Sequence, residues 1–208
     1  MEIENPKLAS IITLKQCISK IINIQKKTIR TFIAVGGLSR SGKSTLINII
    51  QQQLQKNAVV SLTISLDHWI LPLENRNQTM TVKDRFQYDQ ISKDISILID
   101  EGEILIFPYE PLTRSTSKKK IHVSIKDAQV IFFDGVIALD HPYINTISTL
   151  KIYIEIDEGI REKRFIDFYK TKNMADSDIQ ILYEKRIQDE AEIVMKSKNK
   201  ADLIINAK

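Results

Sequence analysis

The sequence predicts an α/β fold in which a mostly parallel sheet carries helices on both faces. Apolar strand patterns and amphipathic helix patterns alternate along the 208 residues, as they do where crossover helices join parallel strands. The run at 130–133 is continuously apolar, which is typical of a strand buried on both faces, and a further strand is predicted at 150–156. A chain of this length suits a single domain, predicted over residues 1–208.

The N-terminal half begins with an amphipathic helix, predicted within residues 1–28 and expected to pack on the domain. Its apolar positions are Leu8, Ile11, Ile12, Ile18, Ile21 and Ile22. A β-branched and aromatic run at 31–35 predicts the first strand, and apolar residues at helical spacing predict a helix at 44–54. A strand at 59–66 and a helix at 90–99, ending near Gly102, follow.

In the C-terminal half, a small hairpin insertion is predicted from the runs at 104–107 and 121–125. The strands at 130–133 and 150–156 come next. Helices are then predicted at 158–172 and 178–196, separated by a polar break at 173–177, and a short strand at 203–205 closes the chain.

One motif joins the first strand to the helix that follows it. Gly37 to Ser44 match the phosphate-binding pattern G-x-x-x-x-G-K-[ST] in full. Backbone N–H groups of such a loop face an anion, and the helix N-terminus adds positive partial charge. We expect Lys43 to reach the nucleotide phosphates and Ser44 to ligate Mg²⁺, with ATP as the nucleotide. The predicted nucleotide-binding residues are Gly37, Ser39, Arg40, Ser41, Gly42, Lys43, Ser44 and Thr45.

Two aspartates follow predicted strands, at the sheet edge where α/β proteins bind ligands. Asp134 ends the run at 130–133 and is the candidate Mg²⁺-side carboxylate, directly or through water; alternatively it opens a turn. Asp67 follows the strand at 59–66 and is a candidate base for a substrate hydroxyl, or else it caps a turn or helix.

Basic residues cluster on the predicted helix at 158–172, namely Arg161, Arg164, Lys170 and Lys172. Residues 158–177 are therefore a candidate lid whose arginines would stabilise charge on the moving phosphoryl group. Arg164 is the preferred cation, and Arg161, three residues earlier on the same face, is its reserve. The alternative is a solvated basic helix face.

Charge and cysteine usage limit the partners. A net charge of +4 is too weak to indicate nucleic acid binding. The lone Cys17 fits a reducing compartment, and no apolar run approaches membrane-spanning length, so we expect a cytoplasmic protein without a membrane partner.

The N-K-x-D stretch at 199–202 follows a helix rather than a strand, which argues against guanine recognition. The sequence is also compatible with an oligomer of identical chains.

From about residue 31 to 205 the chain resembles the uridine kinase and phosphoribulokinase group of P-loop kinases. The resemblance rests on the loop and on five further segments in the family's order, 66–69, 109–114, 133–136, 161–172 and 201–205. It implies that Asp67 is the acceptor-side carboxylate and that Tyr109 and Arg114 bind the acceptor. Asp134 stands where the family most often has a glutamate.

The motif and the resemblance together predict a P-loop NTPase fold and an ATP- and Mg²⁺-dependent kinase. Lys43, Asp67 and Arg164 are the expected catalytic residues, and the acceptor is a small molecule with a hydroxyl. A uridine- or cytidine-like nucleoside is favoured as acceptor. The alternatives are a sugar or pantothenate-like alcohol, or an NTP-hydrolysing switch that has no acceptor.

Overall fold

A computed structural model describes residues 10–77, 79–111 and 113–207 of the chain. The strands are β1 (Ser10–Ile11), β2 (Thr31–Gly36), β3 (Ser61–Ser65), β4 (Glu103–Ile106), β5 (Tyr109–Glu110), β6 (Ser115–Thr116), β7 (Ile121–Ser124), β8 (Val130–Asp134), β9 (Leu150–Ile156) and β10 (Leu203–Ala207). The helices are α1 (Leu14–Gln25), α2 (Lys43–Lys56), α3 (Tyr88–Glu101), α4 (Pro142–Ile147), α5 (Glu158–Lys170) and α6 (Asp176–Glu190).

The main sheet has six strands in the order β1-β10-β9-β2-β8-β3. All of its neighbouring pairs are parallel. The strand that precedes the phosphate loop, β2, therefore lies in the middle of the sheet, between β8 and β9. Parallel strands direct their carboxyl ends to one edge, so the loops after β2, β3 and β8 converge there.

Helices cover both faces of this sheet, as predicted. Alternate residues of β2 point to opposite faces, with Ile33 and Val35 in one core and Ala34 in the other. The first core contains α1 and α2, and the second contains α3 and α4. Both faces of the central strands are buried, which explains why their sequences are continuously apolar instead of alternating.

The N-terminal helix is shorter than predicted. It begins at Leu14 because Thr13 caps it: the Thr13 side chain accepts from Gln16 N, and the Gln16 side chain accepts from Thr13 N at 2.8 Å. Ser10 and Ile11 instead add a parallel edge strand to β10. Leu8 and the rest of residues 1–9 lie outside the described residues.

The insertion between α3 and β8 is a hairpin, as predicted. Its strands β4 and β7 pair antiparallel, and the smaller hairpin of β5 and β6 lies between them in sequence. The lysines at 118–120 are exposed, and Lys126 pairs with Glu103 at 2.8 Å. Most of the basic residues of this insertion are thus solvated hairpin surface.

Helices α5 and α6 form a pair with a small core of their own, built on Phe165, Ile179 and Tyr183. The second helix does not continue regularly to residue 196 as predicted. A π-helical turn at Ala191–Met195 follows Glu190, and turns of this kind are frequent near functional sites. No helix within the described ranges combines the length and apolar character needed to cross a membrane.

Candidate active site

The carboxyl ends of β2, β3 and β8 bring the predicted site residues to one edge of the sheet. In the strand register Asp134 lies opposite both Val35 and Ser65. Asp67 lies just beyond β3, in a short 3₁₀ turn at Leu66–Trp69 that Ser65 caps through its hydroxyl. The phosphate loop, Asp134 and Asp67 are therefore neighbours in the fold although they are far apart in sequence.

The loop has the backbone that its glycines predict. Gly37 has φ 141° and Gly42 has φ 92°, in the region that side chains disfavour. A Cβ at Gly37 would lie 2.5 Å from Ile154 O, and one at Gly42 would lie 3.1 Å from Arg164 Nη1. Side chains at these positions would thus disturb the loop and its contact with the lid helix.

Lys43 and Ser44 make their contacts within the loop and with Asp134. Lys43 is only 8% exposed, and its Nζ donates to Gly37 O at 3.0 Å and to Leu38 O at 2.9 Å. The Ser44 hydroxyl donates to Asp134 Oδ2 at 2.5 Å. The structure thus joins the two residues that were assigned to the metal from separate parts of the sequence.

The loop fits a phosphate. The hydroxyls of Ser39 and Ser41 are buried and have no hydrogen-bond partner among the described residues. Buried hydroxyls normally have one, so these two are suited to an anion or to water. Beside them lies a cavity of about 1060 Å³, which we call the nucleotide cavity. It is lined by Arg40, Gly42, Lys43, Ser44, Thr45 and Arg164, together with residues of both chain ends.

Residues around the start of α1 and in β10 are a part of the site that the sequence did not predict. The nucleotide cavity is lined by Ile12, Thr13 and Gln16 together with Asn206 of β10. The pairing of β1 with β10 brings them there. An amphipathic pattern shows which face of a helix is buried, but gives no sign that its first turn borders a ligand cavity.

The site also fits Mg²⁺ of the kind that nucleotides carry. Within the described residues no group of three or more His, Cys, Asp or Glu side chains could hold a metal. Mg²⁺ in kinases is bound by one or two protein oxygens, by water and by the phosphates themselves. The Ser44 hydroxyl and the Asp134 carboxylate are the protein oxygens available for this role.

A second cavity, of about 160 Å³, lies on the other side of the loop. We call it the acceptor cavity. Asp67, Tyr109 and Arg114 all line it, so the structure brings together the three residues assigned to the acceptor. The Tyr109 hydroxyl accepts from Arg76 Nη2 at 2.8 Å, which orients the ring in the cavity wall.

Asp67 has the environment of a proton acceptor. Burial, and to a smaller extent the negative charge of Asp134, raise the pKa of its carboxyl from 3.8 to about 6. Lys43, Arg186 and Arg40 act in the opposite direction and lower that pKa. A carboxylate with a pKa near 6 is ionised at neutral pH and is a better base than an ordinary aspartate.

The two lid arginines have different surroundings. Arg164 lines the nucleotide cavity, and its guanidinium faces Gly42. Arg161 is 1% exposed; it donates to Glu158 at 2.9 and 2.6 Å and lies 3.7 Å from Glu190. Arg161 therefore joins α5 to α6, and the expectation that it could replace Arg164 is wrong.

Glu190 is a second residue that the sequence analysis missed. It is fully buried, and its Oε2 accepts from Ser39 N at 2.8 Å. The Ser39 amide, which was expected to bind the nucleotide, thus already has a carboxylate partner, and Ser39 lines the acceptor cavity instead. Nothing in the sequence around Glu190 distinguishes it from the other acids of α6.

The lid helix covers the loop through an aromatic contact. The Arg40 guanidinium lies 3.3 Å from the centre of the Phe168 ring. In the N-K-x-D stretch at 199–202, Asp202 Oδ2 accepts from Lys151 N at 2.9 Å, so this side chain anchors the start of β9.

The chain is similar in sequence to proteins named uridine kinase. No family model matches the chain. The uridine kinase of Oceanobacillus iheyensis is 26% identical over 187 residues, which cover 83% of this chain and 84% of that protein. The uridine kinase of Ligilactobacillus salivarius is 28% identical over 135 residues, so the match spans only 62% of either chain.

Solved structures share the fold. A protein of Silicibacter sp., named as a candidate fructose transport system kinase, superposes with a TM-score of 0.73 at 16% identity, covering 93% of this chain and 98% of its own. A possible uridine kinase of Bacillus stearothermophilus gives a TM-score of 0.65 at 20% identity, covering 92% and 96%. The chain is therefore similar in sequence to uridine kinases and shares its fold with kinases of known structure.

Proposed function

We propose that this protein transfers the γ-phosphate of ATP to a hydroxyl of a small metabolite. The observation that carries the proposal is the position of Asp67. This carboxylate, with a pKa near 6, lies in a separate cavity across the phosphate loop from the nucleotide cavity. Phosphoryl transfer needs a donor and an acceptor in line, with a base beside the acceptor.

Each residue has a distinct task in this reaction. The loop amides and Lys43 hold the phosphates, and Lys43 would leave the carbonyls of Gly37 and Leu38 to do so. Ser44 and Asp134 would hold Mg²⁺, which when bound neutralises phosphate charge. Asp67 orients the acceptor hydroxyl and takes its proton, while Arg164 faces the charge that develops on the phosphoryl group.

The closed lid supports transfer over hydrolysis. Phe168 covers Arg40, and Lys172 Nζ donates to Pro111 O at 2.9 Å. This contact joins the end of the lid to the β5–β6 hairpin, which would exclude water from the acceptor cavity. An NTP-hydrolysing switch needs water at this place, and so it is the weaker alternative.

A uridine- or cytidine-like nucleoside is the first acceptor to test, because the relatives matched in sequence are named uridine kinases. Sugars and pantothenate-like alcohols are the alternatives within the same chemistry. The mechanism requires only a hydroxyl at Asp67, and the other walls of the acceptor cavity decide which molecule supplies it.

The test is an assay of ATP- and Mg²⁺-dependent product formation, with product mass measured across nucleosides, sugars and alcohols. We expect one class to gain a single phosphoryl group in wild type and Asp67→Asn to reduce this strongly. ATP consumption without any phosphorylated acceptor, unchanged in Asp67→Asn, would refute transfer and favour the switch.

A further inference from the structure

The acceptor cavity is strongly cationic. Six basic side chains line it against two carboxylates, those of Asp67 and Glu190. The six are Arg40, Arg76, Arg85, Arg114, Lys172 and Arg186. Apart from Arg40, none of them lines the nucleotide cavity. Five of these charges therefore surround the acceptor and not the phosphates of ATP.

Of the five that line only the acceptor cavity, three are not balanced by a carboxylate. Arg85 pairs with Asp189 at 2.5 Å, and Arg186 lies 3.8 Å from Glu190. Arg76 is held by the Leu71 carbonyl and the Tyr109 hydroxyl. Within the described part of the chain, Arg76, Arg114 and Lys172 form no ion pair with an acid.

Arg114 and Lys172 are, moreover, close enough to repel each other. Burial lowers the pKa of the Lys172 ammonium, and the charges of Arg114 and Arg40 lower it further. Lys172 is held in place by Pro111 O and by the faces of Phe168 and Tyr169. Holding like charges together in a half-buried cavity costs free energy, which an anion bound between them would recover.

We infer that the acceptor carries an anionic group, a carboxylate or a phosphate monoester, in addition to the hydroxyl that is phosphorylated, and that Arg114 and Lys172 bind this group. The inference rests on the proposed phosphotransfer and refines its acceptor. Arginine suits this role because its planar fork matches the oxygens of carboxylates and phosphates. A neutral nucleoside would leave these cations without a counter-charge.

The size of the cavity agrees with a small acceptor. Its volume of about 160 Å³ is below the roughly 300–1,000 Å³ of cavities that take drug-sized ligands. A hydroxy acid or a sugar phosphate of few carbons is thus the acceptor that this inference predicts. Offering compounds of both kinds shows whether the anion is a carboxylate or a phosphate.

The experiment compares acceptors that share a carbon skeleton and differ in charge. Glycerol, glycerate and glycerol 3-phosphate form one set, and ribose and ribose 5-phosphate form another, with uridine as the neutral nucleoside. At saturating ATP and Mg²⁺ we expect an anionic member to exceed its neutral partner in kcat/KM by about 100-fold, since two charge-assisted contacts are added. Preference for glycerate or for the phosphate esters identifies the anion.

Variants connect this preference to the cavity. Arg114→Gln and Lys172→Gln should each lower kcat/KM for the anionic acceptor roughly 10- to 100-fold, the worth of one charge-assisted hydrogen bond. The KM for ATP should stay the same, and Arg114→Lys should recover part of the loss. Lys163→Gln, which removes a charge from an exposed position on α5, the helix that precedes Lys172, is the matched control and should have no effect.

Binding of inorganic phosphate gives a readout that does not depend on turnover. It is titrated calorimetrically into protein loaded with Mg²⁺ and a non-hydrolysable ATP analogue, so that the phosphate loop is filled. We expect binding that both glutamine variants weaken and the Lys163 control does not. Absence of such binding, or uridine as the best acceptor, would overturn the inference while leaving phosphotransfer intact; loss of Lys43-dependent ATP binding would instead refute the proposed function.

Discussion

Replacing Asp67 by asparagine should make the protein less active and more stable at the same time. The change keeps the size of the side chain but removes its charge and its basicity. Loss of a general base lowers turnover by typically about 10² to 10⁴-fold. ATP binding should change little, because Ser44, Asp134 and Lys43 hold the nucleotide side of the site.

The gain in stability follows from the raised pKa of Asp67. Its carboxyl titrates near 6 in the folded chain instead of 3.8, so the folded state binds a proton more tightly than the unfolded state. Stability is therefore lost as pH rises through 4 to 6, by about 3 kcal/mol at most. Asparagine removes this cost, and the variant should be more stable than wild type at pH 7.5 but not at pH 4.

Thermal unfolding of the nucleotide-free protein at both pH values measures this. For a chain of this size, 1 kcal/mol corresponds to roughly 2 to 4 °C in Tm. Asp127→Asn, at an exposed turn, is the control and should not shift Tm at either pH. An Asp67→Asn variant that melts below wild type at pH 7.5 would contradict the reasoning, since the carboxylate would then be stabilising.

Three other outcomes are expected. Wild-type kcat/KM should fall as pH decreases below about 6, because Asp67 accepts a proton only when ionised; a profile flat from pH 5 to 8 would argue against this base. Lys43→Ala should nearly abolish turnover while far-UV circular dichroism stays native, and near-normal rates at saturating ATP would contradict the assigned role. Arg164→Ala should cut kcat by about 10³-fold, as for other arginines that face a transferring phosphoryl group. Arg161→Ala should mainly lower Tm, because it removes the hydrogen bonds to Glu158 and one of the two arginines beside the buried Glu190. The reverse pattern would exchange their roles.

The sequence was sufficient where one local pattern determined the result. The phosphate loop required a strand before it and a helix after it, and β2 and α2 occupy those places. Strand β9 has the predicted bounds, 150–156. Asp67 and Asp134 were identified because each follows a strand, and parallel strands must end at the same edge.

Features that depend on tertiary contact were not predictable. Arg161 and Arg164 share a helix face by spacing, yet only packing against α6 buries the first with Glu158 and Glu190. Glu190 touches Ser39 across 151 positions of sequence, a pairing that no local pattern records. Helix α4 was also missed, because its six residues are too few to show a helical repeat.

The most direct test of the central claim follows the γ-phosphate itself. The protein is incubated with Mg²⁺, ATP labelled at its γ-phosphate and the anionic and neutral acceptors together, and the label is traced among ATP, inorganic phosphate and organic products. We expect the label on a small hydroxylated acceptor in wild type and neither transfer nor release in Lys43→Ala. Label found only in inorganic phosphate, whatever acceptor is present, would show that this chain hydrolyses nucleotide and is not a phosphotransferase.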